Sequence, residues 1–390
     1  MNLRHKSWLE ISGYDFRLFL LLVLMVLAIA VRHPAMIAGY VLMSFYLAYE
    51  NHRSFSETTG YDRFFALLVV ASCTLMLPLA LYRNPNSAFH YITVIAGLLS
   101  AVAIVSRPHE YLKCLGWLLV ASQASVLAFL FFRGFDDFPL DTMLESSSSN
   151  GITSSIICIQ VCYSVACICL YRRTTLVTTA ITLFISVVGF GRGSIVASGI
   201  LVVLNSSYII FSQTNKAIKA IYSAAIFVLL IYAFINIGVI IDYLNQNTKI
   251  GSGLFDVERY IINKDYSERL SGVNVIIGVD YKNTVIERFY NGNPHNSFIR
   301  AHNIFGIFYV SAIALATIFA FFQPVSRIVR AYSAALIGIL LIRGYPEPIL
   351  FPTPFDTIYI ASLLIIRNRS QGTFLASTSS MSAINARRRL

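Results

Sequence analysis

A histidine at position 295, held between Pro294 and Asn296, closes a long hydrophilic stretch of the chain. An imidazole titrates near ~6.5, so at neutral pH it is mostly a neutral base, able to take a proton from a hydroxyl or to orient one. Pro294 restricts the backbone just before it. The stretch itself, residues 243–300, carries Lys249, Arg259, Lys264, Arg269, Lys282, Arg288 and Arg300 against Asp256, Glu258, Asp265, Glu268, Asp280 and Glu287. So many bases suit an anionic ligand such as a lipid-linked diphosphate, because a guanidinium grips phosphate oxygens as a fork. Paired with one another, the same charges make only a solvated loop. A second place of interest is the turn Gly189–Phe190–Gly191–Arg192–Gly193–Ser194. There Arg192 can meet a phosphate, and Gly191 and Gly193 let backbone amides approach it closely. The plain alternative for Arg192 is a side chain that snorkels to lipid headgroups. His302 lies at a helix entrance and reads as structural.

The elements that must position these residues are membrane spans. The 390 residues are 56% hydrophobic and only 13% charged, with a mean hydropathy of +0.67, whereas a soluble domain needs about 25% charged residues to cover its surface. The apolar residues fall into runs at 16–31, 34–49, 64–82, 90–105, 113–132, 152–171, 175–190, 195–212, 217–241, 302–322, 329–343 and 351–366. Each approaches the length at which a helix crosses ~30 Å of hydrocarbon while satisfying its own backbone. The expected fold is therefore an all-α polytopic membrane protein of about 12 transmembrane helices, with one large outer loop before the tenth. The runs 175–190 and 195–212 can also be read as one segment broken at Gly189–Gly193.

Charge placement gives an independent reading of topology. With the N-terminus cytoplasmic, every second loop holds a basic pair: Arg53/Arg63, Arg107/Lys113, Arg172/Arg173, Lys216/Lys219 and Arg327/Arg330. The series ends in Arg367, Arg369 and Arg387 to Arg389. Apart from residues 243–300, the intervening loops hold one base each, Arg32, Arg83, Arg133, Arg192 and Arg343, which places both termini in the cytoplasm. The same asymmetry accounts for most of the net charge of +11 and leaves no reason to expect nucleic acid.

The six cysteines, Cys73, Cys114, Cys158, Cys162, Cys167 and Cys169, lie in or beside apolar runs, which favours packing over disulfides or zinc. The first apolar run leads into Arg32–His33–Pro34 and not into a small-residue cleavage site, so no cleaved leader is expected. The serines at 146–149 and the tail from Thr373 read as flexible, the tail (367–390) as a disordered cytoplasmic end. A metal-dependent reading would use Asp136–Asp137 or Asp256–Val257–Glu258.

The sequence Pro294–His295–Asn296, followed by nine residues and then Gly306–Ile307–Phe308–Tyr309, resembles the signature of the O-antigen ligase and polymerase family. That signature is His, then Asn, Ser or Gln, nine residues, Gly, two residues, and Gly, Thr or Tyr. His295, Asn296, Gly306 and Tyr309 fill its four places. The turn around Arg192 is similar to the family's Ser-Arg-Gly element, with Gly191 in place of the serine and Val196 where a ligase carries leucine. The run Tyr266–Ser267–Glu268–Arg269–Leu270, leading to Gly278, resembles the family's loop helix opening with Ser-x-Arg, without its Trp and Pro.

The resemblance covers residues 175–366, a catalytic transmembrane region that includes the loop 243–300; residues 1–174 match only as hydrophobic spans. It implies a metal-independent glycosyltransferase with no cofactor. The enzyme would sit in the bacterial inner membrane with its site facing the periplasm, and would move a glycan from an undecaprenyl-diphosphate carrier to an acceptor hydroxyl. On this reading His295 is the catalytic base, and Arg192 and Arg269 bind the diphosphate, with Arg288 and Arg300 in reserve. Gly191, Gly193, Asn296, Gly306 and Tyr309 support the motif. A polymerase adds the glycan to a repeat unit on a second lipid carrier, and a ligase adds it to lipid A-core; the departure around Arg192 favours the polymerase. A flippase and a chain-length regulator are implied partners. A transporter or flippase of lipid-linked sugars is the alternative of another class, but it calls for charges within the spans, which are scarce here.

Overall fold

The computed structural model describes residues 11–52, 60–134, 139–144, 147–212, 216–236, 238, 242, 256–322 and 326–368. Asp136–Asp137, Lys249 and the first part of the long loop, and the tail beyond residue 368 lie outside the described residues. Described residues form helices throughout, with one isolated β-bridge between Leu144 and Ser147. In chain order the helices are α1 (Gly13–Ala30), α2 (Pro34–Glu50), α3 (Gly60–Arg83), α4 (Ser87–Val105), α5 (Pro108–Arg133), α6 (Ser149–Tyr171), α7 (Leu176–Val188) and α8 (Arg192–Ser212). There follow α9 (Lys216–Ile235), three short helices α10 (Val257–Glu268), α11 (Asn274–Ile277) and α12 (Val285–Tyr290), and then α13 (Ser297–Ala320), α14 (Arg327–Gly344) and α15 (Asp356–Asn368). Seven of the described helices are long and apolar enough to cross a membrane. The chain is a membrane-embedded helical bundle.

Local chemistry sets the helix limits. Ser12 and Asp15 form a capping box that starts α1 at Gly13. Between α1 and α2, Arg32 turns left-handed (φ 54°), His33 accepts from the Ala35 amide as N-cap, and Pro34 takes the first helical place. The single-segment alternative at 175–212 is resolved as two helices, because Phe190 (φ 55°) breaks the chain between α7 and α8. The run expected to span from 351 starts only at Asp356. Pro346, Pro348, Pro352 and Pro354 keep the chain before it out of a helix.

Helix α6 lies at the centre, buried on almost every side from Ile152 to Cys169, as a helix apolar all round must be. It packs against α5, α7, α8, α14 and α15. Polar side chains tie these helices together: Asn205 of α8 donates to Ser164 Oγ of α6 at 3.2 Å and to Thr179 Oγ1 of α7 at 2.9 Å, and Gln123 of α5 donates to Thr182 Oγ1 of α7 at 2.9 Å. In an apolar surrounding such bonds act as glue between helices. All six cysteines are free and buried.

Helix ends sort by chemistry. At one end Arg17 pairs with Glu50, Lys113 with Asp15 and Arg367 with Asp62, joining the starts of α1, α3 and α5 to the ends of α2 and α15. At the other end meet the close of α3, the α7–α8 turn, the segment from α10 to α12, the start of α13 and the connection from α14 to α15. The candidate residues gather there.

Candidate functional site

Three arginines and two acids form the centre of this end. Arg192, the first residue of α8, reaches Asp256 at 3.5 Å. Asp256 is the N-cap of α10, accepting from the Arg259 amide, and its second oxygen also takes Arg259 Nη1 at 2.8 Å. Arg259 Nη2 reaches Glu347 Oε1 at 2.7 Å, and Glu347 in turn faces Arg343 at 3.8 Å. Three guanidiniums against two carboxylates leave a net positive charge. Much of the loop's charge is thus paired, as are Lys264 with Glu268 and Arg269 with Asp265.

Arg343 is the most enclosed of the three, its side chain only 2% exposed. Its Nη2 donates to Ser194 Oγ at 2.9 Å, and Ser194 shares a 2.7 Å hydrogen bond with Thr153 of the central helix. Its Nε finds no hydrogen-bond partner among the described residues. Sequence reasoning passed over Arg343 as an ordinary outer-end base. The signal that marks it is Glu347, four residues on, beyond the end of an apolar run.

The two glycines of the turn have a packing role that was not expected. A Cβ on Gly191 would lie 2.2 Å from Asn150 Oδ1, and one on Gly193 would lie 2.9 Å from Arg343 Nη1. Their small size admits two polar side chains from α6 and α14, where close approach to a phosphate had been the reason inferred.

Beside this cluster opens a cavity of about 490 Å³. Arg192, Arg259, Arg343 and Asp256 line one part; Val196, Ala197 and Ile200 of α8 with Ile339 and Ile342 of α14 line the other. The cavity therefore offers positive charge at the end of the bundle and an apolar wall along α8 and α14. That combination fits an amphiphile with an anionic head.

The four signature residues follow. Asn296 is the N-cap of α13, accepting from the Phe298 and Ile299 amides at 2.8 and 3.1 Å. His295 stands just outside the helix in a left-handed conformation (φ 47°), half-buried, with its backbone amide donating to Asn293 Oδ1 and its ring edge-on to Tyr290 at 5.7 Å. Burial pushes its pKa below the usual histidine value; Glu347 opposes that shift and Arg259 adds to it. The imidazole is thus kept a neutral base within the field of the arginine cluster, although it is not among the residues lining the cavity.

Gly306 breaks α13 with φ 65° and ψ −171°, and a Cβ there would lie 2.4 Å from the Ile276 carbonyl. Only glycine fits where α11 comes so close. Arg83 closes the joint, donating to the carbonyls of Ile277, Gly278 and Asn303 at 2.9, 3.0 and 3.2 Å. Tyr309 is buried three residues on, packed against Phe305. His302 is structural as expected, its ring bonded to Tyr266 at 2.8 Å and to the Val275 carbonyl at 2.9 Å.

No protein-family model matches this chain, and no curated protein matches it significantly.

The remaining arginines are not brought to the cavity. Arg269 is the C-cap of α10, so the Ser-x-Arg element ends a helix here where a helix opening was expected. Its guanidinium holds Asp265 at 2.9 Å and the Asn283 carbonyl at 3.2 Å. Arg288 is exposed on α12. Arg300 donates to the carbonyls of Pro348, Leu350 and Phe351 at 2.6, 2.7 and 3.4 Å, pinning the connection between α14 and α15. These contacts engage its guanidinium with the backbone of that connection. Asp256, of the acidic pair considered for a metal, is engaged by two guanidiniums.

Proposed function

We propose that this chain is a glycosyltransferase of the bacterial inner membrane that uses an undecaprenyl-diphosphate-linked glycan as donor. The carrying observation is the cavity at Arg192, Arg259 and Arg343, charged at the bundle end and apolar along α8 and α14. A polyprenyl diphosphate has that polarity in one molecule. The signature at His295, Asn296, Gly306 and Tyr309 supports the same reading, as does the scarcity of charge within the spans. The alternation of basic loops supports twelve spans with both termini cytoplasmic, a topology that has this end in the periplasm.

In this reading the arginines hold the donor diphosphate, and His295 takes the proton of the acceptor hydroxyl. The acceptor oxygen attacks the anomeric carbon as the bond from that carbon to the diphosphate oxygen breaks. The bonding pair leaves with undecaprenyl diphosphate, whose charge the guanidiniums stabilise. The acceptor is a repeat unit on a second lipid carrier, which makes the protein an O-antigen-type polymerase working with a flippase and a chain-length regulator; the ligase alternative differs in taking lipid A-core.

The reaction is tested in membranes containing the protein and labelled undecaprenyl-diphosphate repeat units. The expected product is a lipid-linked dimer and longer chains, formed in the presence of a metal chelator. Failure to elongate, or elongation abolished by the chelator, contradicts the proposal.

A further inference from the structure

A second cavity of about 750 Å³ opens at the same end of the bundle, further along α10. Its lining includes Tyr260, Asn263, Lys264, Tyr266, Asn296 and Tyr345, and none of the three clustered arginines. We propose that it binds the acceptor sugar. This inference rests on the transfer reading above and adds to it a site for the second substrate.

Two contrasts carry the inference. The first is chemical. Among the described residues Lys264 is the one lysine or arginine in the lining, and it already faces Glu268 at 3.9 Å, so the described lining offers a diphosphate no guanidinium fork. Besides the apolar side chains of Leu270, Val275, Phe298, Ile299, Ile307 and Val310, the lining offers the rings of Tyr260, Tyr266 and Tyr345 with the amides of Asn263 and Asn296. Aromatic faces cover the C–H faces of a sugar ring while amide and hydroxyl groups pair with its hydroxyls, which suits an uncharged carbohydrate.

The second contrast is positional. Tyr260, Asn263 and Tyr345 line both cavities, and they stand where the two adjoin. Asn263 donates to the Tyr345 hydroxyl at 3.2 Å and its Oδ1 accepts from Asn296 Nδ2 at 3.4 Å. The bridge between the cavities is thus tied directly to the residue after His295. A sugar held in the second cavity presents a hydroxyl at the boundary, beside the donor's anomeric carbon.

The test uses the full-length protein in membranes and a photo-crosslinking side chain. Ser267→p-benzoylphenylalanine places the probe in the second cavity only, at an exposed site whose hydroxyl bonds only to the carbonyl of Lys264 in its own helix. Ile200→p-benzoylphenylalanine places it in the arginine cavity. The ligand probe is the labelled, lipid-free repeat-unit oligosaccharide released from the host's surface polysaccharide. The expected result is capture at 267 and not at 200, competed by unlabelled oligosaccharide and reduced about 10-fold by Asn263→Ala, the loss of one good hydrogen bond. Capture at 200 alone, or at neither position, overturns the proposal. Capture does not require turnover, so a protein that elongates no chains yet captures sugar at 267 refutes the transferase reading and leaves the sugar site standing.

Discussion

The side chain of Arg343 donates to Ser194 at 2.9 Å while its Nη1 occupies the space above Gly193, where a methyl group would lie 2.9 Å from it. Two helices far apart in sequence, α8 and α14, are thereby fixed so that their outer ends share one cavity with the loop helix α10. Gly193→Ala is expected to push the guanidinium from this place. The lost charge-assisted bond is worth ~1.5–3 kcal/mol, which corresponds to a fall in transfer of about 10- to 100-fold if the displaced charge serves the donor. Elongation assays in membranes check this, and unchanged transfer would show that the placement of Arg343 does not matter to the reaction.

The arginines should separate by location. Arg192→Lys keeps a charge but loses the planar fork, and elongation is expected to fall by at least about 10-fold. Arg269→Ala, at a residue engaged with Asp265 and Asn283 away from the cavity, is expected to leave elongation within about 2-fold of wild type, the scale of a surface substitution. Comparing the two variants at equal membrane abundance makes the measurement.

His295 gives a pH dependence whose sign is set by its surroundings. Burial depresses its pKa, so the neutral, proton-accepting form persists below the unperturbed ~6.5. The acid limb of the elongation profile is expected below that value. Glu347→Gln removes a group that raises the pKa and should move the limb further toward acid. The linked effect on stability has the same sign: a depressed histidine stabilises the fold above ~6.5, and that contribution is lost as the pH falls through the folded value. A limb that stays put in Glu347→Gln would remove this coupling. His295→Ala should abolish elongation while membrane insertion stays intact.

Gly306→Ala should act on the fold. The residue is left-handed and a carbonyl stands 2.4 Å from where its Cβ would be, so α11 or α13 must move. Strain of ~1–3 kcal/mol from the backbone alone, with the clash in addition, predicts a lower melting temperature in detergent. An unshifted transition would contradict the packing described for α11.

The helical membrane architecture was legible because hydrophobic run length and cost of an unpaired backbone in lipid are both local properties. His302 could be placed as structural from its position alone. The arginine cluster was only partly legible, since Arg192 stands out in a glycine turn while Arg259 and Arg343 matter through Asp256 and Glu347, contacts made across long sequence separations. Arg300 illustrates the converse: its sequence context matches that of a phosphate ligand, yet the proline-rich connection from α14 to α15 presents carbonyls that bind it first. The glycines of the turn suggest a close approach of backbone to phosphate, whereas in the structure it is the side chains of Asn150 and Arg343 that come close to them.

The central claim, that this protein joins lipid-linked repeat units, is tested most directly by deleting its gene in the host and resolving the surface polysaccharide on a gel. The expected result is lipid A-core carrying a single repeat, because ligation survives while elongation is lost. Bare core with long chains on the lipid carrier would identify a ligase instead, and an unchanged ladder would contradict both readings.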